Sequence, residues 1–521
     1  MTLMARYKPY NYQQGEFIPI QFEKQILPDS FEHALNYIID NVMDVKAFVE
    51  RIKNDDTGAP AYDPKIMLKI IFYAYSKGIM HSRKIERACQ ENVMFMALSA
   101  NTRPHFTTIA NFIATMSDGV EPMFLAILMY CDKLGLIGKE MFAIDGCKIS
   151  SNASKEWSGT KEDFERKRDK YKEAISFLVK KHQEEDEKKE IPEERKKEAA
   201  AKEGFEEKIK KIEDWLSTHD DKIGKQGQAK KSHVIDNESA KMTTSHGVVQ
   251  GYNGVAAVDS KKQIIVVAEA FGDGSEQDAL KPMVDHLDEV GKKLGKDNLL
   301  KDATLTADSG YHTEDNMKML SDNGIDAYVP DNQFRKRDPR YSDAGKYKED
   351  VEKKDWKYYS PHEFKLDEAT GKLICPAGKY LYVKNRNFMT QTGHYGTVYM
   401  AKVTDCRVCP LRLQCLQKPT TKARQVCKFE GRDLTKKKRT YCDWMKERID
   451  SVSGRFIYSH RMGIVEPVFA NIRHMLGLDR FTLRGEKKVN AQWKMYAMVH
   501  NIFKIYRYDW KGPEPLPVGA G

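Results

Sequence analysis

Two short apolar runs that each lead into an aspartate constrain the fold of this chain most. Residues 142–144 precede Asp145, and residues 305–307 precede Asp308. Small turn residues follow both acids, so we predict that each run is a buried strand that ends at its aspartate. Functional groups collect at the carboxyl ends of strands in an open sheet. The two aspartates are therefore expected to be neighbours if their strands are adjacent.

The segments around these runs predict an α/β domain. Residues 248–259 and 263–271 are rich in β-forming side chains and are separated by a short polar turn, which indicates a hairpin. Helices are predicted over about 276–293 and 314–323, and a short strand over 326–330. The predicted order is strand, insertion, two antiparallel strands, helix, strand, helix and strand.

Residues 1–130 predict an all-helical domain. Pro64, after Asp63, is expected to open a helix, since the first turn does not need its missing N–H group, and Gly78 is expected to end it. A second helix follows, and a third begins after Pro104. The second carries the basic side chains Arg83, Lys84 and Arg87. Two helices around a glycine turn predict a helix-turn-helix-like DNA-binding domain, and an ordinary helical domain with a solvated basic face is the alternative.

Lysine and glutamate dominate the chain from about residue 155 to 231. Apolar side chains recur there at heptad spacing, in one run from Phe164 to Leu178 and in a second from Phe205 to Leu216. We predict a charged helical hairpin with antiparallel helices, inserted into the α/β domain. Contact with DNA, contact with a partner subunit and a solvated spacer are all compatible with this composition.

Residues 331–450 are polar and are predicted to be rich in loops. They contain four cysteines with metal-like spacing: Cys375, Cys406, Cys409 and Cys415. Four thiolates are the number that a closed structural zinc site takes, and Cys427 could replace any one of them. A zinc ion could supply folding energy that a small core does not, and free thiols in a reducing compartment are the alternative. The other cysteines resemble small buried hydrophobic residues, namely Cys89, Cys131, Cys147 and Cys442.

A third acid, Glu466, lies in a helix predicted over about 464–476, which precedes another helix over 487–508 and a disordered tail at 511–521. Phosphodiester hydrolysis needs an activated oxygen nucleophile and a neutralised leaving oxygen, and two divalent cations held by carboxylates provide both. Converging acids also repel one another unless a cation lies between them. Asp145, Asp308 and Glu466 are therefore candidate ligands of two Mg²⁺ or Mn²⁺ ions, although an aspartate after a strand is more often a turn or helix cap.

The composition is compatible with a nucleic-acid partner without requiring one. The formal net charge is +10, and charged residues of both signs make up 31% of the chain. Many enzymes that bind no nucleic acid have a similar balance. No apolar run approaches the ~20 residues that a membrane-spanning helix needs, so we expect a soluble protein with no membrane partner.

Several motifs together carry a family resemblance. They are FAIDGCKISSNAS, VVQGYNGVAAVD, TADSGYH, VPDNQFRKRDPRY, CRVCPLRLQC and GRFIYSHRMGIVEPVFANIRHMLGLDRFTLRG, with LKIIFYAYSKGIMHSRKIERAC before them and VHNIFKI after them. The chain resembles the DDE transposases of bacterial insertion sequences, in particular the IS1182-like group among the IS4 and IS5 relatives. The resemblance implies an RNase H-like catalytic core over 140–330 and 451–510, interrupted before the helix that bears Glu466. It also implies a cytoplasmic protein associated with the bacterial nucleoid.

The resemblance implies a role for individual residues. Asp145, Asp308 and Glu466 match the catalytic triad, and Tyr458, Arg461 and Arg473 match residues that hold DNA phosphates near the cut. Four residues separate Arg461 from Glu466 here, where relatives have three. His312, beside Asp308, could assist proton transfer, contact DNA or pack structurally.

The implied activity is metal-dependent cleavage at transposon ends, followed by transfer of the 3′-hydroxyl into target DNA. The partners would be DNA and a second copy of the chain, because two ends are cut in one assembly. A stand-alone metal-dependent nuclease and a non-catalytic DNA-binding protein on the same fold are the alternatives.

Overall fold

The computed structural model describes residues 20–50, 60–185, 192–224, 227–244, 247–341, 358–390, 394–418, 420–432 and 439–510. Two compact units divide the chain. Met1–Asn332 and Ser451–Gly521 together form the first unit, and Gln333–Asp450 form the second. The tail predicted to be disordered, 511–521, lies outside the described residues.

The N-terminal part of the first unit is helical. In the described residues its helices are α1 Phe22–Gln25, α2 Phe31–Asn41, α3 Lys46–Val49, α4 Pro64–Ser76, α5 Ser82–Glu91, α6 Val93–Leu98, α7 Phe106–Thr115 and α8 Val120–Lys133. Asp63 caps α4 as predicted, since its Oδ1 accepts a hydrogen bond from the Lys65 N–H at 2.7 Å. Gly78 follows α4 with a φ of 70°, a left-handed conformation that glycine adopts without strain. The predicted second and third helices are α5 and α7.

A helical hairpin is inserted after the first strand, β1 (Met141–Ser150). Its elements are β2 Ser158–Gly159, α9 Lys161–Glu185, α10 Pro192–Thr218, β3 Lys222–Ile223, β4 Ala229–Lys230 and β5 Ser232–His233. Phe164, near the start of α9, packs edge-on against Trp215, near the end of α10, with 4.7 Å between ring centroids. Tyr171, which comes later in α9, stacks on Phe205, which comes earlier in α10, with 5.5 Å between ring centroids. The two helices are therefore antiparallel, as predicted.

Six strands form the sheet of the α/β core. After β1 come β6 Ala240–Thr244, β7 Gly247–Asp259, β8 Ile265–Phe271, β9 Thr304–Ala307 and β10 Asp326–Tyr328, with α11 Leu280–Lys293 and α12 Glu314–Asp322 between the last three strands. The spatial order is β10-β9-β1-β7-β6, and β8 also pairs with β7. β7 is antiparallel to β1 and β8, whereas β9 is parallel to β1 and β10. The chain order is the predicted one, apart from the additional strand β6.

Asp145 lies in the middle of β1 and not at its end. The parallel pairing of β1 with β9 stops at Ile144 opposite Ala307, but the antiparallel pairing with β7 continues to the end of β1. The prediction that the strand ends at Asp145 is therefore wrong, because β7 is long enough to pair with β1 beyond the acid. Asp145 and Asp308 are the first residues after the paired part of β1 and β9, which makes them neighbours on adjacent strands.

The second unit contains its own antiparallel sheet. Its described elements are α13 Phe334–Arg337, β11 Lys365–Asp367, β12 Lys372–Ile374, β13 Tyr380–Met389, β14 His394–Ala401, α14 Val403–Arg407, α15 Arg412–Cys415, β15 Gln425–Arg432 and α16 Tyr441–Asp450. The strands pair in chain order from β11 to β15 around a small core of Phe364, Leu373, Leu381, Tyr399, Ala401, Ala423 and Val426. This sheet was not predicted, because strands that each bury few side chains leave little periodicity in the sequence.

The last helices belong to the first unit. They are α17 Val452–Ser459, α18 Arg461–Ala470, which continues into a π-helical turn at Asn471–Met475, and α19 Glu486–Asp509. Trp493 of α19 donates from Nε1 to the Val255 carbonyl of β7 at 2.9 Å, and Tyr496 stacks on Tyr75 of α4 at 4.6 Å. α19 thus joins the sheet to the N-terminal helices. Among the described residues, no single helix is long and apolar enough to cross a bilayer, and one pair bent by 75°, α7 with α8, has that length and composition only when taken together.

Candidate active site

Asp145 and Asp308 meet at a buried arginine. Arg461, the first residue of α18, is 5% exposed, and its Nη2 lies 2.8 Å from Oδ2 of Asp145. Its Nη1 lies 3.9 Å from Oδ1 of Asp308. The guanidinium therefore spans the acids of two adjacent strands and supplies the positive charge that converging carboxylates need.

Glu466 acts on the same acids from α18. It lies five positions after Arg461, which turns the two side chains about 140° apart around a helix of 3.6 residues per turn. Arg461 is buried, whereas Glu466 is exposed. The charge of Glu466 is nevertheless close enough to raise the pKa of Asp145. The structure thus pairs Asp145 and Asp308 with one arginine and lets the charge of Glu466 act on Asp145.

A proline sets the course of α18. Pro467 lies inside the helix and has no N–H group, so the carbonyl of Gly463, one turn earlier, loses its helical donor. The side chain of Gln263 supplies a donor instead, with Nε2 at 2.8 Å from that carbonyl oxygen. Gln263 lies in the turn between β7 and β8, and its own carbonyl is 3.0 Å from Nε2 of His500 on α19. This turn residue ties the helix of Glu466 to the sheet and to α19.

The π-helical turn after α18 is also anchored. Asn471 lies at its start, and its Nδ2 is 2.9 Å from Nδ1 of the buried His500. Burial lowers the pKa of His500 to about 3, so the ring is neutral and Nδ1 can accept this hydrogen bond. Arg473 lies within this turn, which changes the register between it and Glu466, so the two residues do not follow one straight α-helical face.

The pKa of Asp145 is raised to about 6. Burial is the main cause, and the charges of Asp308 and Glu466 add to it. The Arg461 guanidinium lowers the pKa, as does the Gly146 N–H, which donates to Oδ1 at 2.8 Å. A carboxylate that remains costly to ionise beside an arginine is suited to binding a further cation.

Two groups that sequence reasoning missed lie at this site. Tyr311 is buried where the charges of Asp145 and Arg461 act on it, and its hydroxyl has no hydrogen-bond partner among the residues that the structure describes. Glu276 packs against the turn that follows β9, where a side chain at Gly310 would collide with its carboxylate. Gly310 and Tyr311 come two and three positions after Asp308, and this closeness could have indicated Tyr311. No local pattern indicated Glu276.

No group of three or more His, Cys, Asp or Glu side chains is arranged to hold a metal ion within the described part of the chain. At the acids of β1 and β9, the Arg461 guanidinium contacts both carboxylates. The donor set itself is suitable, because Mg²⁺ and Mn²⁺ prefer carboxylate oxygens. The acids therefore have the right chemistry, with an arginine as their present counter-ion.

Two family models match the chain. A transposase DDE domain matches residues 374–506, which include Glu466, and a transposase domain (DUF772) matches residues 20–115, which include α1 to α7. The chain belongs to the DDE transposases of insertion sequences. This pair of domains is consistent with the IS1182-like group. A search of curated proteins found no match.

The transposase carries the other signature residues on the helices next to Glu466. Tyr458 lies on α17, and it acts on the pKa of Arg461. Arg473 is exposed. Burial raises the pKa of the Cys147 thiol on β1 to about 12, and the positive charge of Arg473 lowers that pKa in part. Arg461 was expected to face DNA, but its side chain is buried against Asp145 and Asp308.

The ring of His312 makes a hydrogen bond to a backbone carbonyl group. Its Nδ1 lies 2.9 Å from the Val329 carbonyl oxygen, which can only accept, so Nδ1 carries the proton. This contact favours structural packing among the three roles that the sequence left open.

The predicted DNA-binding helix α5 has a basic exposed face. It is formed by Arg83, Lys84 and Arg87. The Arg83 guanidinium lies over the Phe106 ring at 4.7 Å from its centroid, and Arg87 pairs with Glu91 at 2.8 Å. Contact of this face with DNA stays a prediction.

The four cysteines predicted to bind zinc line one cavity of about 40 Å³ in the second unit of the transposase. Cys427 is not among its lining residues and instead lies opposite Val398 in the β14–β15 pair. No three of the thiols are arranged to hold an ion, so zinc also stays a prediction. Of the other cysteines, Cys89 and Cys131 are buried as expected, whereas Cys147 and Cys442 are partly exposed.

Proposed function

We propose that the chain cuts DNA at the ends of a mobile element and joins the freed 3′-hydroxyl to target DNA. The observation that carries this proposal is a set of ion pairs and charges that links Asp145, Asp308 and Glu466, which are distant in sequence. Asp145 and Asp308 share one arginine, and Glu466 acts on Asp145. Carboxylates gathered in this way are what divalent-ion phosphodiester chemistry requires.

The sheet supports an RNase H-like core over 140–330 and 451–510. The first strand, the antiparallel pair β7 and β8, and the alternating β9 and β10 with their helices follow the order that the family resemblance implies. The helix of Glu466 comes after the second unit and contacts β1. The helical residues 1–130 would then be a DNA-binding domain.

The donor set fits two Mg²⁺ or Mn²⁺ ions. Asp145, Asp308 and Glu466 would hold these ions through their carboxylate oxygens. When bound, such ions activate an oxygen nucleophile and neutralise the leaving oxygen. The raised pKa of Asp145, which is caused mainly by burial, supports this assignment, because a bound cation would offset the cost of keeping the buried carboxylate ionised.

The chain's own residues would hold the DNA and exclude water. Tyr458 and Arg473 lie on segments that flank Glu466, where they would contact phosphates beside the cut. The buried Tyr311 ring would keep water from the inner side of Asp145. The basic face of α5 would bind the element end, and two copies of the chain would bring two ends together.

Cleavage of duplex DNA that carries the element's ends tests the proposal. With Mg²⁺, the wild type should cut the ends and join a 3′-hydroxyl to a second duplex. Asp308→Asn should lose both reactions and keep its DNA affinity, because the amide is a poor ligand for the ion. Asp302→Asn is the matched control, since Asp302 is exposed just before β9.

Each alternative gives a different result in the same assay. A stand-alone nuclease cuts without joining, and a non-catalytic binding protein does neither. Full cleavage by Asp308→Asn would contradict the site assignment.

A further inference from the structure

Arg461 holds a position that a divalent cation would need. Its guanidinium contacts Asp145 at 2.8 Å and lies 3.9 Å from Asp308, and the residue is 5% exposed. Neither Nε nor Nη2 has an aligned hydrogen-bond acceptor in the part of the chain that the structure describes. Arg461 is therefore held by charge and not by a closed hydrogen-bond network.

A metal ion cannot join this arrangement without a rearrangement. Mg²⁺ binds carboxylate oxygens at about 2.0–2.1 Å, and Oδ2 of Asp145 is already in contact with Nη2 of Arg461. Two positive charges a few ångströms apart also repel strongly in a buried site. In agreement with this, the described acids are not arranged to hold a metal ion in this conformation.

A DNA phosphate offers the guanidinium a different partner. Nε has no acceptor, and Nη2 contacts Asp145 without an aligned hydrogen bond. These two donors belong to the planar fork that phosphate oxygens bind in pairs. A phosphate would therefore give the guanidinium the aligned acceptors that the acids do not.

We propose that Arg461 is an internal counter-ion that competes with divalent cations for Asp145 and Asp308, and that a DNA phosphate frees the two acids by binding its guanidinium. The identity of that phosphate rests on the proposed function. Without DNA the acids hold the arginine, and with DNA they hold the metal. Metal uptake is thus coupled to substrate binding.

Mn²⁺ binding in the absence of DNA, measured by electron paramagnetic resonance of the free ion, tests this competition. Arg461→Gln should lower the Mn²⁺ dissociation constant by at least about tenfold, because the competing charge is gone. Arg461→Lys keeps a charge but lacks the planar fork, so its affinity should lie between those of the wild type and Arg461→Gln. The control Arg166→Gln removes an exposed arginine that pairs with Glu162 on α9, and it should bind Mn²⁺ as the wild type does.

Unchanged or weaker Mn²⁺ binding by a folded Arg461→Gln protein overturns the proposal. If circular dichroism shows that this variant does not fold, the wild type decides the matter. A duplex that carries the element's end should then lower the Mn²⁺ dissociation constant of the wild type at least about tenfold. The same duplex should not have this effect on Asp308→Asn. Equal binding with and without DNA overturns the proposal. Failure of the proposed function has another signature, namely a wild type that binds Mn²⁺ and DNA but does not cut.

Discussion

Gln263 makes three hydrogen bonds to two helices. Its Nε2 donates to the Gly463 carbonyl of α18, its Oε1 accepts from Lys504 of α19 at 2.7 Å, and its carbonyl accepts from His500. Its φ is 58°, in a region that glycine and asparagine occupy more readily. The conformation and the contacts both depend on the tertiary structure, so no local pattern could have indicated this residue.

Gln263→Ala should slow DNA cleavage more than it weakens DNA binding. Gly463 would lose the donor that replaces the missing Pro467 N–H, and α18 would be held less firmly above Asp145. We expect the cleavage rate to fall by about tenfold or more, since small displacements of reacting groups are costly. Single-turnover cleavage and DNA affinity are measured side by side, with the exposed Gln21→Ala as control. A wild-type rate in Gln263→Ala would refute this positioning role.

Glu269 and Lys494 form a buried ion pair between β8 and α19, with 2.8 Å between the charged atoms. Burial favours a higher pKa for Glu269, but its bonds to His286, Lys494 and Asn490 outweigh burial and lower the pKa from 4.5 to about 2. A carboxylate with a lowered folded pKa stabilises the fold above its unfolded pKa, and that stability is lost as pH falls towards the folded pKa. We therefore expect the free energy of unfolding to fall by about 3 kcal/mol between about pH 5 and pH 2 through this residue.

Glu269→Gln tests this pH dependence. At neutral pH it should lower the free energy of unfolding by about 3–5 kcal/mol, because Lys494 keeps only the more exposed Glu121 as a partner. It should also flatten the acid dependence. Urea unfolding between pH 3 and pH 7 provides both quantities, with Glu289→Gln on the exposed side of α11 as control. An acid dependence as steep as that of the wild type would show that other groups cause it.

Helices and strands could be predicted where a local sequence pattern determines them. The Asp63-Pro64 start of α4 and the alternating turn and strand residues of β7 and β8 carry their own signals. The end of β1 was not predictable, because the strand continues past Asp145 only through its pairing with β7. The sheet of the second unit was also missed, since each strand there contributes only one or two buried residues, such as Leu373 and Leu381.

Hydrogen bonds from neighbouring residues hold three of the four cysteines predicted to bind zinc. The Lys379 N–H donates to Sγ of Cys375 at 3.3 Å in the turn between β12 and β13. Arg412 donates to the carbonyl of Cys406, and Arg424 donates to that of Cys415, at 2.9 and 3.0 Å. These contacts hold the sulfur of Cys375 and the backbone of Cys406 and Cys415, and outer contacts of this kind orient ligands in metal sites.

The zinc prediction is tested by metal analysis of the purified protein. We expect about one zinc ion per chain, a count that Cys409→Ser should reduce together with the melting temperature. Cys427→Ser should change neither, because Cys427 does not line the cavity. Wild-type protein without zinc, or full zinc in Cys409→Ser, would show that these cysteines are free thiols.

At the scale of the whole molecule, the candidate site is assembled from distant parts of one unit. Asp145 precedes the helical hairpin, Asp308 follows it, and Glu466 comes after the entire second unit. The acids after two apolar runs and the family resemblance led to these three residues, whose shared role in a metal site stays a prediction. The burial of Arg461 between them was not predictable, because it depends on how α18 packs against the sheet.

Asp145, Asp308 and Glu466 are proposed to share bound divalent cations. Fe²⁺ in place of Mg²⁺, with ascorbate and hydrogen peroxide, generates radicals that cleave the protein backbone beside the bound metal. With end-bearing duplex DNA present, we predict cleavage around residues 145, 308 and 466, and excess Mg²⁺ should suppress all three cuts together. Cleavage around 145 and 308 without cleavage at 466, or cuts that Mg²⁺ does not suppress, would contradict the account.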